Sequence, residues 1–371
     1  MPDELQPGGE RPPATPDGEQ PRARPPRWRR ARPGVLTGLA VLLVAIVAVL
    51  AVLYELTPPS ATPKTITFDV KPGWGGKEVA AALADQGLVR NARIFELYLR
   101  ARGLDRSIGD GLYDLSPSMS ASQVAADLKK GGRPRTVEVV IPEGWRAEHI
   151  AQRMASAGLG DAGAYMALID HPGDLRPSFV PAGASLEGYL FPASYQIPVR
   201  STPRQVLDLM LRRFREELDS STTDRLRSKG LSVHAWVTLA SMVQAEAASS
   251  GEMPIIAGVF LNRLDLGMPL QSDPTVAYGL HVALPDLKAD DLQKDTPWNT
   301  YTRAGLPKGP IDSPGDAALQ AVLDPVRTDA QGKRYLYFLH AVDNGKIIFR
   351  PNTNLQAHNQ DVRRYLQGNA H

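Results

Sequence analysis

An uncharged apolar run from Pro33 to Tyr54, 22 residues long, constrains this 371-residue chain more than any other feature. Its core reads Val35-Leu36-Thr37-Gly38-Leu39-Ala40-Val41-Leu42-Leu43-Val44-Ala45-Ile46-Val47. As a helix it spans about 33 Å at ~1.5 Å per residue, enough to cross a hydrocarbon core of ~30 Å. A cleaved signal peptide would carry an apolar stretch of only roughly 7–15 residues ending at a small-residue site. Here the run is longer, and Tyr54-Glu55-Leu56-Thr57-Pro58-Pro59 follows it. The expectation is an uncleaved single-pass helix over residues 34–56. Arg27, Arg29, Arg30 and Arg32 flank its N-terminal side, and Glu55 is the first charge beyond it. The positive-inside rule then keeps the N-terminus in the cytoplasm and sends the rest of the chain across the membrane.

Residues 1–33 are rich in Pro, Arg, Gly and Glu, with almost no large apolar side chains. Too little surface can be buried there to offset the entropy of ordering, so a disordered cytoplasmic tail is expected. The tail holds seven Arg and five acids; the remaining 338 residues hold 35 bases and 35 acids. A neutral body argues against nucleic acid as a partner, because that affinity is largely electrostatic. Cysteine is absent. Disulfides, thiol catalysis, zinc ribbons and iron–sulfur clusters are thereby excluded, while the compartment stays open.

Residues 57–65 read as a short Pro-rich linker. Beyond them the sequence echoes itself at one offset of 71 residues. Gly73/Gly144, Trp74/Trp145, Val79/Ile150, Ala80/Ala151, Leu83/Met154, Ala84/Ala155, Gly87/Gly158 and Leu88/Leu159 align. Each copy predicts a strand, a Gly-containing turn and a helix closed by a C-terminal Gly. Two copies are too few for a solenoid. Between them, Asn91–Gly103 and Ser120–Leu128 have helical spacing, with Ser120 as an N-cap. Small modules of this kind at cell surfaces either bind glycans or act as spacers. The chain is expected to be α+β, with a membrane-proximal module over 66–135 and a larger domain over 136–371.

The best-defined helix downstream is Ser232–Ala248, with an apolar stripe of Trp236, Leu239, Ala240, Val243 and Ala247. Glu246 sits at the edge of that stripe. A carboxylate against apolar surface is harder to ionise and can donate a proton near neutral pH; the plainer reading is an exposed flank residue. A second helix, Ile255–Leu264, ends in Asn262-Arg263-Leu264. Then follow Leu270-Gln271-Ser272-Asp273-Pro274-Thr275-Val276-Ala277-Tyr278-Gly279, Trp298-Asn299-Thr300-Tyr301-Thr302 and Gly305-Leu306-Pro307-Lys308-Gly309-Pro310-Ile311. Loops so dense in Asn, Gln, Asp, Thr and Tyr suit a ligand rich in hydroxyls and amides, though many surface loops share that composition. The seven His have no metal-ligand spacing, so no metal is expected, and no nucleotide or serine-hydrolase signature occurs.

Together these motifs resemble the YceG-like (MltG) family, membrane-anchored endolytic transglycosylases that cut nascent peptidoglycan. Thr238–Ala247, Leu270–Gly279, Asn299-Thr300-Tyr301 and Gly305-Leu306-Pro307 carry the likeness, and Glu187-Gly188-Tyr189-Leu190-Phe191-Pro192 resembles an upstream family motif. The echo near Trp74 resembles the family's LysM-like module. The likeness spans roughly residues 66–365. Departures are Ala193-Ser194 in place of Asp-Thr, Lys308 in place of Pro, and Gln244 in place of a Glu found in some members; the tail Phe349 to Asn359 matches more loosely. The resemblance implies a catalytic Glu246, substrate contacts from Gln271, Asp273, Asn299, Thr300, Tyr301 and Glu187, and no cofactor. It further implies cleavage of the bond between N-acetylmuramic acid and N-acetylglucosamine to give 1,6-anhydro ends, which would terminate glycan elongation. The protein would then sit in the bacterial cell membrane beside cell wall synthases of the penicillin-binding type. The alternatives are a hydrolytic muramidase using Asp273 or Glu187 as second carboxylate, and a non-catalytic glycan-binding scaffold.

Overall fold

The computed structural model describes residues 33–367; the tail expected to be disordered, with its arginine cluster, lies outside them. Helix α1 (Pro33–Glu55) has no acid in its first turn and no base in its last. Among the described residues it is the one helix long and apolar enough to cross a membrane, and none of its apolar window is buried against protein. The remainder is a mixed α+β structure in two compact units meeting at Arg133 and Pro134.

The first unit contains β1 (Ile66–Val70), α2 (Gly76–Asp85), α3 (Ala92–Ala101), β2 (Gly111–Leu115) and α4 (Ala121–Lys130). Strands β1 and β2 pair antiparallel from Ile66↔Leu115 to Val70↔Gly111. Their inward residues, Phe68, Val70, Tyr113 and Leu115, meet Val79, Leu83, Phe95, Leu99, Val124 and Leu128 in one small core. The helix starts are written in the sequence. Asn91 accepts from the amides of Arg93 and Ile94, and Ser120 forms a capping box with Gln123.

The second unit opens the same way, with β3 (Thr136–Ile141), α5 (Ala147–Ser156) and α6 (Ala162–Asp170), then β4 (Ala193–Pro198) antiparallel to β3 from Thr136↔Pro198 to Ile141↔Ala193. Helices α2 and α5 have the same length, and residues 76–85 and 147–156 are offset by 71 at both ends. Gly73 and Gly144 precede them at φ 81° and 74°, and Gly87 and Gly158 follow at 68° and 76°. These are left-handed positions that glycine adopts at little cost, so the echo is one of backbone geometry.

The second copy is continued by α7 (Pro203–Glu216), α8 (Ser220–Ser228), α9 (Val233–Glu246), α10 (Met253–Asp265), α11 (Asp273–Gly279) and α12 (Asp316–Leu323). A β5–β6 hairpin (Tyr337–Asp343, Lys346–Asn352) and α13 (Leu355–Val362) complete it. Helix α9 is central, touching α10, α11 and α12. That corrects the expected one-sided stripe: every residue from Trp236 to Val243 is buried. The helix also ends earlier than expected, on Glu246, because Ala247 is already extended (ψ 133°). The Glu252 side chain accepts the amides of Ala248 and Ser249 and fixes the turn that follows.

Two glycines allow close approach in this unit. Gly188 has φ 84°, and a Cβ there would meet Pro310 at 2.4 Å; at Gly258 a Cβ would lie 2.1 Å from the Val326 carbonyl oxygen. The Trp236 indole donates to the Leu319 carbonyl at 2.8 Å, tying α9 to α12 inside the core.

Candidate active site

Glu246, the last residue of α9, projects into a cavity of about 750 Å³ walled by α10, the start of α11, the β5 strand and α13. Its carboxyl is packed around by protein while the residue keeps partial exposure to the cavity. Burial lifts its pKa to about 7; the Asp273 charge adds to that rise, and the Ser272 hydrogen bond, His340 and Arg263 oppose it. Ser272 Oγ donates to Glu246 Oε1 at 2.6 Å. The carboxyl is thereby aimed, and its acid form persists to neutral pH.

The segment carrying Ser272 is unusually constrained. Gln271 is a non-glycine residue at φ 54°, a costly conformation that its surroundings must hold. Its amide donates to the Thr300 carbonyl (3.1 Å), and the Ser272 amide donates to Thr300 Oγ1 (3.0 Å). Thr275 Oγ1 donates to the Ser272 carbonyl at 2.6 Å, so its 3.0 Å contact with Thr300 is one in which Thr300 donates. The turn that sets Glu246's partner is therefore stapled to the Asn299-Thr300-Tyr301 loop.

The sequence-predicted residues now separate. Gln271, Asp273 and Tyr301 line the cavity with Glu246. Tyr301 donates its hydroxyl to Asp273 Oδ1 at 2.5 Å. Asn299 and Thr300 are each 1% exposed and do not line the Glu246 cavity. The Asn299 side-chain amide donates to the Leu292 and Lys294 carbonyls, and its oxygen accepts from the amides of Tyr301 and Thr302. All its polar capacity is spent on the loop, so as first read, a substrate contact, it is replaced by a support for Tyr301.

Glu187 likewise lies outside the Glu246 cavity. Its carboxylate accepts from the Ala147 amide at the N-terminus of α5 (3.0 and 3.2 Å) and from the Tyr278 hydroxyl (3.2 Å). It lines a separate cavity of about 130 Å³ beside Arg146. Burial raises its pKa to about 7. Nearby Asp312 is pushed well above the usual carboxylate range by burial and by the Glu187 charge, with Arg146 opposing.

Sequence reasoning missed several cavity residues. Arg263, 8% exposed on α10, donates to the Leu336 and Leu270 carbonyls (2.7 and 2.8 Å) and stacks its guanidinium 5.1 Å from the Tyr337 ring centroid. An arginine at a buried helical position was the available signal. His340 shares a 2.9 Å hydrogen bond with Glu252, and His358, whose pKa burial and Arg263 lower, stacks on Tyr337 with ring centroids 5.3 Å apart. Both arrive from the C-terminal hairpin and helix, too far along the chain for spacing to reveal them.

A protonated carboxylic acid aimed into a polar, tyrosine- and histidine-walled cleft is equipped for general acid catalysis on a hydroxyl-rich substrate. A model of the YceG-like family matches residues 68–364. The chain belongs to the YceG-like family. Among its relatives, the endolytic murein transglycosylase of Streptococcus pneumoniae serotype 2 is 32% identical over 346 residues, covering 85% of this chain and 61% of that protein. The chain thus spans about three fifths of the length of that relative. The endolytic murein transglycosylase of Bacillus subtilis is 28% identical over 316 residues, 81% of this chain and 85% of that one. A crystal structure of a yceG-like protein from Listeria monocytogenes superposes with TM-score 0.52 at 30% identity, over 81% of this chain and 99% of that one.

Proposed function

We propose that this chain is an endolytic murein lytic transglycosylase, cutting the β-1,4 bond between N-acetylmuramic acid and N-acetylglucosamine in nascent glycan strands. The observation that carries the reading is Glu246: one carboxyl, aimed by Ser272 and held in its acid form to about pH 7, in a cleft of polysaccharide-compatible size. Glu246 gives its proton to the glycosidic oxygen as the C1–O bond breaks. The muramic C6 hydroxyl oxygen bonds to C1, and the Glu246 carboxylate takes up the proton that hydroxyl loses. No water is consumed, the acid is regenerated, and the product is a 1,6-anhydro end. One carboxyl switching roles suffices, whereas most glycoside hydrolases need two at about 5–9.5 Å. Gln271 and Asp273 contact the sugar, with Tyr301 holding Asp273; Asn299 and Thr300 support that loop from behind.

Names of relatives that specify murein support the substrate class. In the same reading α1 anchors the protein in the bacterial cell membrane with the catalytic unit outside, supported by its length and by the flanking Arg residues of the sequence. Residues 66–135 form a LysM-like glycan-holding module, residues 136–371 the catalytic domain, and cell wall synthases that extrude the strand are the natural neighbours. Incubating the full chain and its Glu246→Gln variant with purified glycan strands tests the assignment. Wild type is expected to release anhydro-ended fragments and the variant at least about a hundredfold fewer; equal release would remove Glu246 from the chemistry.

A further inference from the structure

The second unit contains another large cavity, of about 780 Å³, which the chemistry above leaves unused. It lies at the far end of α11 from Glu246: Asp273, the first residue of that helix, lines the Glu246 cleft, and Tyr278 lines the second cavity. Tyr278 and Trp298 form an aromatic corner there, ring centroids 5.3 Å apart, and the Lys308 ammonium stands 5.4 Å from the Trp298 centroid. Arg176 joins the wall, its position fixed by a 2.7 Å bond from Nη1 to the Val180 carbonyl. Among the described residues neither Lys308 nor Arg176 has a carboxylate at ion-pair distance, and Asp170 is the single acid on the wall. Two unpaired, forked or mobile donors beside an aromatic corner match a carboxylate-bearing peptide better than a neutral sugar.

We propose that this cavity binds the peptide branch of the murein strand whose backbone lies in the Glu246 cleft, with Lys308 and Arg176 taking its carboxylates. The proposal rests on the transglycosylase reading for the identity of the strand. Asp273 and Tyr278, which line the two cavities, stand five residues apart on α11, a rise of about 7.5 Å along its axis, and a four-residue peptide extends up to roughly 14 Å. Neither cation touches the Glu246 cleft, so specificity for peptide-bearing strands is built apart from the acid that cuts them.

The test uses the full chain in detergent, wild type and the double variant Lys308→Ala/Arg176→Ala, on strands that keep their peptides and on strands stripped of them by an amidase. Wild type is expected to favour the peptide-bearing strands about tenfold in kcat/KM, mainly through KM. The variant is expected to lose that preference while cutting stripped strands at the wild-type rate. Equal cutting of both strands by wild type, or an equal loss by the variant on both, overturns the proposal. Calorimetric titration of the free murein peptide into both proteins decides it independently. Binding weakened about tenfold in the variant supports the cavity, and unchanged or absent binding refutes it. If wild type cuts neither strand, the transglycosylase reading falls and the titration alone decides the peptide site.

Discussion

The hydrogen bond from Ser272 to Glu246 opposes the burial that makes Glu246 an acid. A donor to a carboxyl oxygen favours the charged form, so Ser272→Ala should raise the Glu246 pKa further above about 7. The alkaline limb of the kcat/KM profile, where the acid form is lost, is then expected to move up by roughly half to one pH unit. A limb that stays in place would detach Ser272 from the titrating group. The same raised pKa has a consequence for stability. Between about pH 4.5 and 7 the folded chain holds a proton on Glu246 that the unfolded chain has released, so stability falls as pH rises through that window. Glu246→Gln removes this dependence. In urea titrations it should be more stable than wild type at pH 8 by about 1–3 kcal/mol, the cleft-facing exposure favouring the lower end, and about equal below pH 4.5. Buried Glu187, whose pKa is raised to about 7 too, adds a penalty of the same sign that both proteins share.

At the scale of elements, the turn after α9 and the loop at Asn299 do the positioning. Asn299→Ala strips acceptors or donors from four backbone groups and is expected to cost about 2–4 kcal/mol in thermal or urea unfolding, while lowering cleavage by loosening Tyr301 and Asp273. Full activity and stability in that variant would show that the loop is held by other means. Gly188→Ala places a Cβ within 2.4 Å of Pro310 at a positive φ, so a loss of roughly 2–4 kcal/mol is expected there as well. Much of this was legible in advance. The cap at Ser120, the 71-residue echo and the long apolar helix are local patterns, and local patterns show in sequence. Glu246, Gln271, Asp273 and Tyr301 were legible as motif residues. Whether a motif residue faces a ligand or its neighbours was not, because exposure is a tertiary property. Asn299 and Thr300 look like sugar-binding residues in one dimension; in three, Asn299 is spent on backbone groups and Thr300 on the Ser272 amide and the Thr275 hydroxyl. Arg263, His340 and His358 reach the cleft through folding partners up to 112 positions from Glu246 along the chain.

For the whole molecule, the proposed function makes the long apolar helix α1 the element that decides where the chemistry takes place. A chain starting at residue 57 is expected to stay in the supernatant and still cut free glycan strands, whereas the full chain sediments with membranes until detergent is added. Sedimentation of the shortened chain would assign membrane binding to the folded units instead. In the proposed function the apolar helix, the repeated strand–helix module and the buried acid act together, holding a long polymer near a bilayer while a single carboxyl breaks it. The decisive question is whether water enters the bond that is broken. Cleavage of glycan strands by the full chain in heavy-oxygen water, followed by mass spectrometry of the new ends, answers it. Ends that carry no heavy oxygen and are lighter by one water are the expected result; heavy oxygen at the new muramic C1 would make the enzyme a hydrolase and contradict the single-carboxyl mechanism.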